Sequence, residues 1–268
     1  MLRNLVQFLS ITVLALVLAS CGNQGTTVIG PAGSGVFEAP TTTAMSYPAR
    51  VATADDGAVY VADAAADMVL AYELSTGKAL FSLGSGVGEF LMPNAIAVAD
   101  DGRIYVVDSG AKQLRIYNSD GSLDRVVGSE GTFGFPSAVA IAGDKVFLAD
   151  SGKHLVWVLD RDGKAQRSFG GEITDEAESV EDFRGQFTRV QGMAVHGSNL
   201  YVLDSFHGYV QVFDLNGNWM GFTGKRGACS SCVDLPLDVQ ADASGALWVT
   251  DPERKRLVTF QPELRREP

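Results

Sequence analysis

An all-β chain is what the sequence predicts, in the form of a β-propeller of four-stranded antiparallel blades. Three observations carry this. One short phrase, an apolar β-rich run ending in aspartate, occurs five times at a spacing near 45 residues. Each copy sits among segments that alternate apolar and polar residues with period two, the pattern of a half-buried strand. Turn signals rich in glycine, aspartate and asparagine separate these segments and leave no room for helices. Tandem units of this size remove long sheet edges by radial repetition, which is the propeller solution.

The five phrases are AVYVAD ending at Asp63, RIYVVD at Asp108, KVFLAD at Asp150, NLYVLD at Asp204 and ALWVTD at Asp251, with aspartates 45, 42, 54 and 47 residues apart. A small apolar segment and a turn precede each phrase, as in AIAVADDG at 95–102, and supply the first strand. The phrase itself is the second. A further alternating run, such as QLRIYNSDG or YVQVFDLNG, supplies the third. The first four units close on a strand that ends at glycine: Gly84, Gly128, Gly170 and Gly224. An aspartate at the junction of strand and turn accepts backbone N–H bonds there, so all five are read as architecture.

The units resemble the NHL-repeat family. The shared pattern is a G-x-F-x-x-P lead-in, a small apolar strand, DG, then a strand ending in Asp, as in GEFLMPNAIAVADDGRIYVVD and GTFGFPSAVAIAGDKVFLAD. The resemblance covers about residues 49–260. It implies the fold and no one activity, since a propeller hosts many. Five copies predict five blades, with six as the alternative if residues 31–48 hold a degenerate unit. The fifth unit lacks a recognisable fourth strand, while TTVIG at 26–30 resembles the closing DRVVG of 124–128. The N-terminal strand is therefore expected to close the last blade by pairing with residues 256–260, within one propeller domain spanning residues 26–268.

Ahead of the repeats, Met1-Leu2-Arg3-Asn4 gives a positive start and Leu5 to Leu18 an apolar stretch too short for a comfortable membrane span. This is the form of a signal peptide, residues 1–20. It ends in Leu18-Ala19-Ser20-Cys21, which resembles the lipobox of bacterial lipoproteins. The resemblance implies cleavage before Cys21 and lipid on its sulfur and amino terminus, palmitate-type chains that anchor stably because each buried methylene adds about 0.8 kcal/mol. Residues 21–25 would be anchor and tether. Gly22 stands where the inner-membrane retention signal has Asp, so the expected location is the bacterial envelope, outer membrane favoured, with the propeller outside the cytoplasm.

A formal charge of −11 makes phosphate backbones poor partners, and no nucleic acid is expected. No catalytic motif of the G-x-S-x-G, phosphate-loop or HExxH kind is present. No catalytic residue, metal or cofactor is assigned, and the chain is expected to be monomeric. Of three histidines, His154 and His207 fall in the turns after the repeat aspartates, too few for the metal ring of NHL-type lyases, and are read as solvent-facing loop residues. These turns vary from unit to unit and are cationic in places. Lys112, Lys153, His154, Phe206, His207 and Arg254 form a candidate partner-binding face, joined by Glu176, Glu178 and Phe183 of the insertion GGEITDEAESVEDFRGQF at 170–187.

Cys229-Ser230-Ser231-Cys232 lacks the histidine of a haem site and a second ligand pair for zinc. In an exported protein a Cys229–Cys232 disulfide stapling the loop is expected, with redox sensing as the alternative. The functional expectation is a membrane-anchored, non-enzymatic binding module for an envelope protein or glycan. The competing expectation is a metal-dependent lyase or lactone hydrolase at the channel mouth.

Overall fold

Pro48, Pro93 and Pro136 each open the first strand of a four-stranded sheet, and in each the ladder shifts register immediately after the proline. Proline has no N–H to give a ladder, so it is tolerated at a strand start beside a bulge. These sheets belong to a computed structural model that describes residues 27–29, 36–38, 45–84, 89–173, 184–224, 226–228 and 232–261. The signal peptide, Cys21, the tether, Glu176, Glu178, Phe183 and Cys229 lie outside the described residues. Among the described residues no helix is long and apolar enough to cross a membrane. The chain falls into two compact units, residues 1–130 and 131–268.

In the first unit, β1 (Thr27–Ile29) and β2 (Val36–Glu38) form a two-stranded antiparallel sheet, with Val28 opposite Phe37. Blade one follows as β3 (Pro48–Thr53), β4 (Ala58–Asp63), β5 (Met68–Glu73) and β6 (Ala79–Leu83), paired in that order. Blade two has β7 (Pro93–Val98), β8 (Ile104–Asp108), β9 (Gln113–Tyr117) and β10 (Leu123–Val127), again in sequence. Strands β4 and β8 are buried along their whole length because both faces are covered. Tyr60, Val69, Phe90, Ile104, Val106 and Tyr117 join one core shared by the two blades.

In the second unit, blade three is β11 (Pro136–Ala142), β12 (Lys145–Asp150), β13 (Leu155–Asp160) and β14 (Ala165–Gly170). Blade four is β15 (Val190–His196), β16 (Asn199–Asp204), β17 (Tyr209–Asp214) and β18 (Trp219–Thr223). Blade five is β19 (Asp238–Ala241), β20 (Leu247–Asp251) and β21 (Arg256–Phe260). Alternation sends β17 side chains to two cores. Phe213 packs with Phe147, Phe187 and Leu200 towards blade three, while Val210 and Val212 pack with Val239 and Val249 towards blade five.

The fold class is thus the expected one: an all-β propeller of five antiparallel blades. Its closure is not. β1 pairs with β2 instead of with β21, and the fifth sheet has three strands among the described residues. The resemblance of TTVIG to DRVVG is that of any short apolar run, and such a run takes whichever edge lies nearest.

The closing glycines have a packing reason. At Gly84, φ is +76° and an added Cβ would lie 2.1 Å from Cδ2 of Phe90. Phe90 is the aromatic of the G-x-F-x-x-P lead-in and is 1% exposed. The end of one blade and the start of the next meet at that point.

Candidate partner-binding face

The repeat aspartates organise the turns between second and third strands. All five are buried, at 0–2% exposure. Asp63 accepts from the N–H groups of Ser46, Tyr47, Ala65 and Ala66. Asp108 accepts from Leu91, Met92 and Ala111. Asp150 accepts from Gly134 and Phe135 and from the Trp157 indole. Asp204 accepts from Thr188, Arg189 and Phe206. The expected bonds within the turn are present at Asp63, Asp108 and Asp204, and at all four a second set reaches back 15–17 residues to the lead-in loop. Each carboxylate therefore ties the start of its blade to the end of the second strand.

Asp251 departs from this. It pairs with Arg256 Nε at 3.3 Å, and its Oδ1 has no partner among the described residues. The Arg256 guanidinium also donates to the Cys232 carbonyl.

Four residues beyond each aspartate the backbone turns left-handed: Asp67, Lys112, His154, Gly208 and Lys255 have φ from +50° to +70°. That geometry, not chemistry, fixes where these side chains stand. Lys112 lies exposed in the first unit. In the second unit, Lys153 Nζ donates to the carbonyls of Gly131 and Thr132 at 2.9 and 2.7 Å and sits 5.7 Å from the Trp157 ring centre.

The two turn histidines are not the solvent-facing residues expected. His154 Nδ1 lies 3.1 Å from the carbonyls of both Phe187 and Thr188, so it donates a proton to them and is part of the scaffold. His207 Nδ1 lies 3.3 Å from Asp204 Oδ2. Burial opposes ionisation of Asp204, but the His207 imidazole and the Thr188 and Arg189 amides outweigh it, and its carboxyl titrates below the usual value of about 3.8. His207 also holds the neighbouring Phe206 ring edge-on, 5.0 Å between centres, and Phe206 is 50% exposed.

Arg254 donates to the Gly227 carbonyl at 2.5 Å and lies 3.7 Å from Asp234. Within the second unit the structure therefore places Lys153, His154, Phe206, His207 and Arg254 in turns at one end of their blades. Cys232 is disulfide-bonded and 2% exposed, and its expected partner Cys229 lies outside the described residues.

Other residues escaped the sequence reading. Blade four carries a small cleft lined by Ile173, Asp204, His207, Tyr209, Gln211, Trp219 and Phe222. The outer strands of blades one to three are largely exposed, whereas β18 is covered. Arg184 lies over the Trp219 ring at 5.2 Å, and Gln211 bonds the backbone of Gly185 and Gln186. The signal in the sequence was faint: NWMGFT carries Trp219 and Phe222, where the other outer strands ALFSL, LDRVV and AQRSFG carry one aromatic residue or none. Arg226 and Asp234 had no such signal, because the lead-in to blade five lacks the phenylalanine of the G-x-F-x-x-P pattern, while Arg189 falls inside the blade-four copy, GQFTRV, at a position where the pattern fixes no residue type.

No curated protein matches the chain. Among solved structures, virginiamycin B lyase from Staphylococcus aureus superposes with a TM-score of 0.60 at 13% identity, covering 84% of this chain and 73% of that one. A streptogramin B lyase gives 0.56 at 11%, covering 80% and 68%. A structural genomics protein of unknown function from Bacteroides thetaiotaomicron VPI-5482 gives 0.62 at 20%, covering 80% and 59%. At such identities the likeness is one of fold. The PQQ_2 family model, described as outer membrane protein assembly factor BamB, matches residues 27–218. With most of its repeats inside that match, the chain belongs to the PQQ_2 family of β-propellers.

Proposed function

We propose that this chain is an envelope lipoprotein, anchored through Cys21, whose NHL-like propeller is a non-enzymatic binding module for a protein or glycan partner. The observation that carries the reading is the family match, since an outer membrane assembly factor is by description a protein of the envelope that acts on other proteins. The turn geometry supports it: rigid turns pinned by buried aspartates present unlike side chains from blade to blade. A lyase or hydrolase rests on fold likeness at 11–13% identity, and the two histidines it would draw on are held by Phe187, Thr188 and Asp204. The loop staple is taken to join Cys229 to Cys232.

Crosslinking in intact cells followed by capture of the full chain tests the proposal. One envelope partner is expected to be recovered reproducibly with the wild type and lost with Cys21→Ser, which should carry no labelled fatty acid. Label on Cys21→Ser, or turnover of a small substrate by protein that captures nothing, would overturn it.

A further inference from the structure

A row of side chains at the turn end of blades four and five keeps donors and apolar surface beyond what its scaffold bonds take up. It begins at Arg189, exposed, with Nε donating to Ser205 Oγ at 2.9 Å. Beside Ser205 stands the exposed ring of Phe206. Arg226 follows: its NH1 donates to the Phe206 carbonyl at 2.8 Å, and a Cβ on Gly208 would come within 2.9 Å of its own Cβ. Arg226 and Arg254 then share one carboxylate, Asp234, at 3.8 and 3.7 Å.

Two guanidinium groups, each with five N–H donors in a planar fork, have one acid between them among the described residues. Beyond Asp234, each makes one bond to a backbone carbonyl among the described residues. The side chains of Arg226 and Asp234 are 45% and 41% exposed, so these ion pairs are wet and add little to stability. The row leaves surplus positive charge and unused fork donors beside an apolar ring, on a chain whose formal charge is −11.

We infer that this row docks an acidic peptide segment of the partner. Partner carboxylates take the remaining donors of Arg226 and Arg254 in bidentate fashion, and an apolar side chain next to them covers Phe206. The net charge selects for this occupant. A polyanionic surface such as nucleic acid or an anionic bilayer is repelled by the acidic body, whereas a short acidic segment meets only the local cations. With its ring edge-on against His207 and its carbonyl bonded by Arg226, Phe206 is an anchor that loses little freedom on binding. The inference rests on the reading of the propeller as a binding module.

The test is fluorescence anisotropy on the full chain with a doubly capped Glu-Glu-Leu-Phe-Glu-Glu peptide, a Lys-Lys-Leu-Phe-Lys-Lys control and phosphatidylglycerol vesicles. The Glu peptide is expected to bind and to weaken with added salt. Arg254→Glu and Arg226→Gln should each lower its affinity by roughly tenfold or more, and Phe206→Ala by about tenfold. Arg254→Lys, keeping the charge without the fork, should lose less than Arg254→Glu. Circular dichroism checks the fold of each variant, and Arg254→Glu carries the test if Arg226→Gln does not fold. Failure of the wild type to bind the Glu peptide, equal binding by the arginine variants, equal binding of the Lys peptide, or Arg254-dependent vesicle binding would overturn the inference. A partner captured from cells through another face would leave the binding-module reading standing and overturn this one.

Discussion

Asp150 shows what one buried carboxylate does in this fold. It is 0% exposed and accepts from the Gly134 and Phe135 amides at 2.9 and 2.8 Å. Asp150→Ala strips the acceptor from both, at about 1–3 kcal/mol for each donor left unmet. The urea midpoint should fall by an amount equivalent to roughly 2–4 kcal/mol, and an unchanged midpoint would show that water replaces the carboxylate without cost. Asp204 adds a pH dependence. Its folded-state carboxyl titrates below the unfolded value, so its contribution is whole above about pH 4 and is lost as the pH falls through the folded value. The stability gap between wild type and Asp204→Asn, measured by denaturation across pH, should close as the pH falls below about 4. A gap that widened in acid would reverse the sign. The position of these aspartates was legible because it repeats five times. Their long-range bonds were not, because a backbone N–H is offered by every residue and leaves no mark in the sequence.

Strands and turns carry the next level. The lead-in residues Phe90 and Phe187 lie against the closing glycines Gly84 and Gly170, element-to-element contacts of which Gly84 against Phe90 is the tighter. Gly84→Ala should cost about 1–3 kcal/mol from overpacking against the ring, and more from a left-handed φ that disfavours any Cβ. Thermal unfolding should show a drop of several degrees, and Gly57→Ala, whose added Cβ meets nothing within 4 Å, isolates the backbone part. Equal drops in the two variants would mean that the Phe90 contact costs nothing. The glycines and the G-x-F-x-x-P lead-in were readable as punctuation, but the reason for pairing them appears only when Phe90 lies on Gly84. The opposite holds at β18. Its Trp219 and Phe222 can be read in the sequence, yet what covers the strand depends on how Arg184, Gly185 and Gln186 return from the insertion.

For the whole molecule, five spaced aspartates were enough to give the blade count, and they also set the family-level fold. Ring closure by the N-terminal strand was not legible, because a five-residue apolar run does not name its partner, and here β1 takes β2. The binding face was half legible. Lys153, His154, Phe206, His207 and Arg254 fall at fixed offsets from the aspartates, whereas Arg226 and Asp234 come from an irregular lead-in and Arg189 from a lead-in position that varies in residue type. The histidines, read as surface residues, turn out to be ties within the scaffold, which shifts the weight of recognition to Phe206 and the arginines. Phe206 and Asn216 stand at opposite ends of β17 and are both exposed, so they separate one end of blade four from the other. A photocrosslinking residue placed at each position in the full chain, irradiated in intact cells, is the most direct test of a turn-end binding face. The account predicts an envelope adduct from position 206 and none from position 216. Adducts from 216 alone, or equal adducts from both, would contradict it.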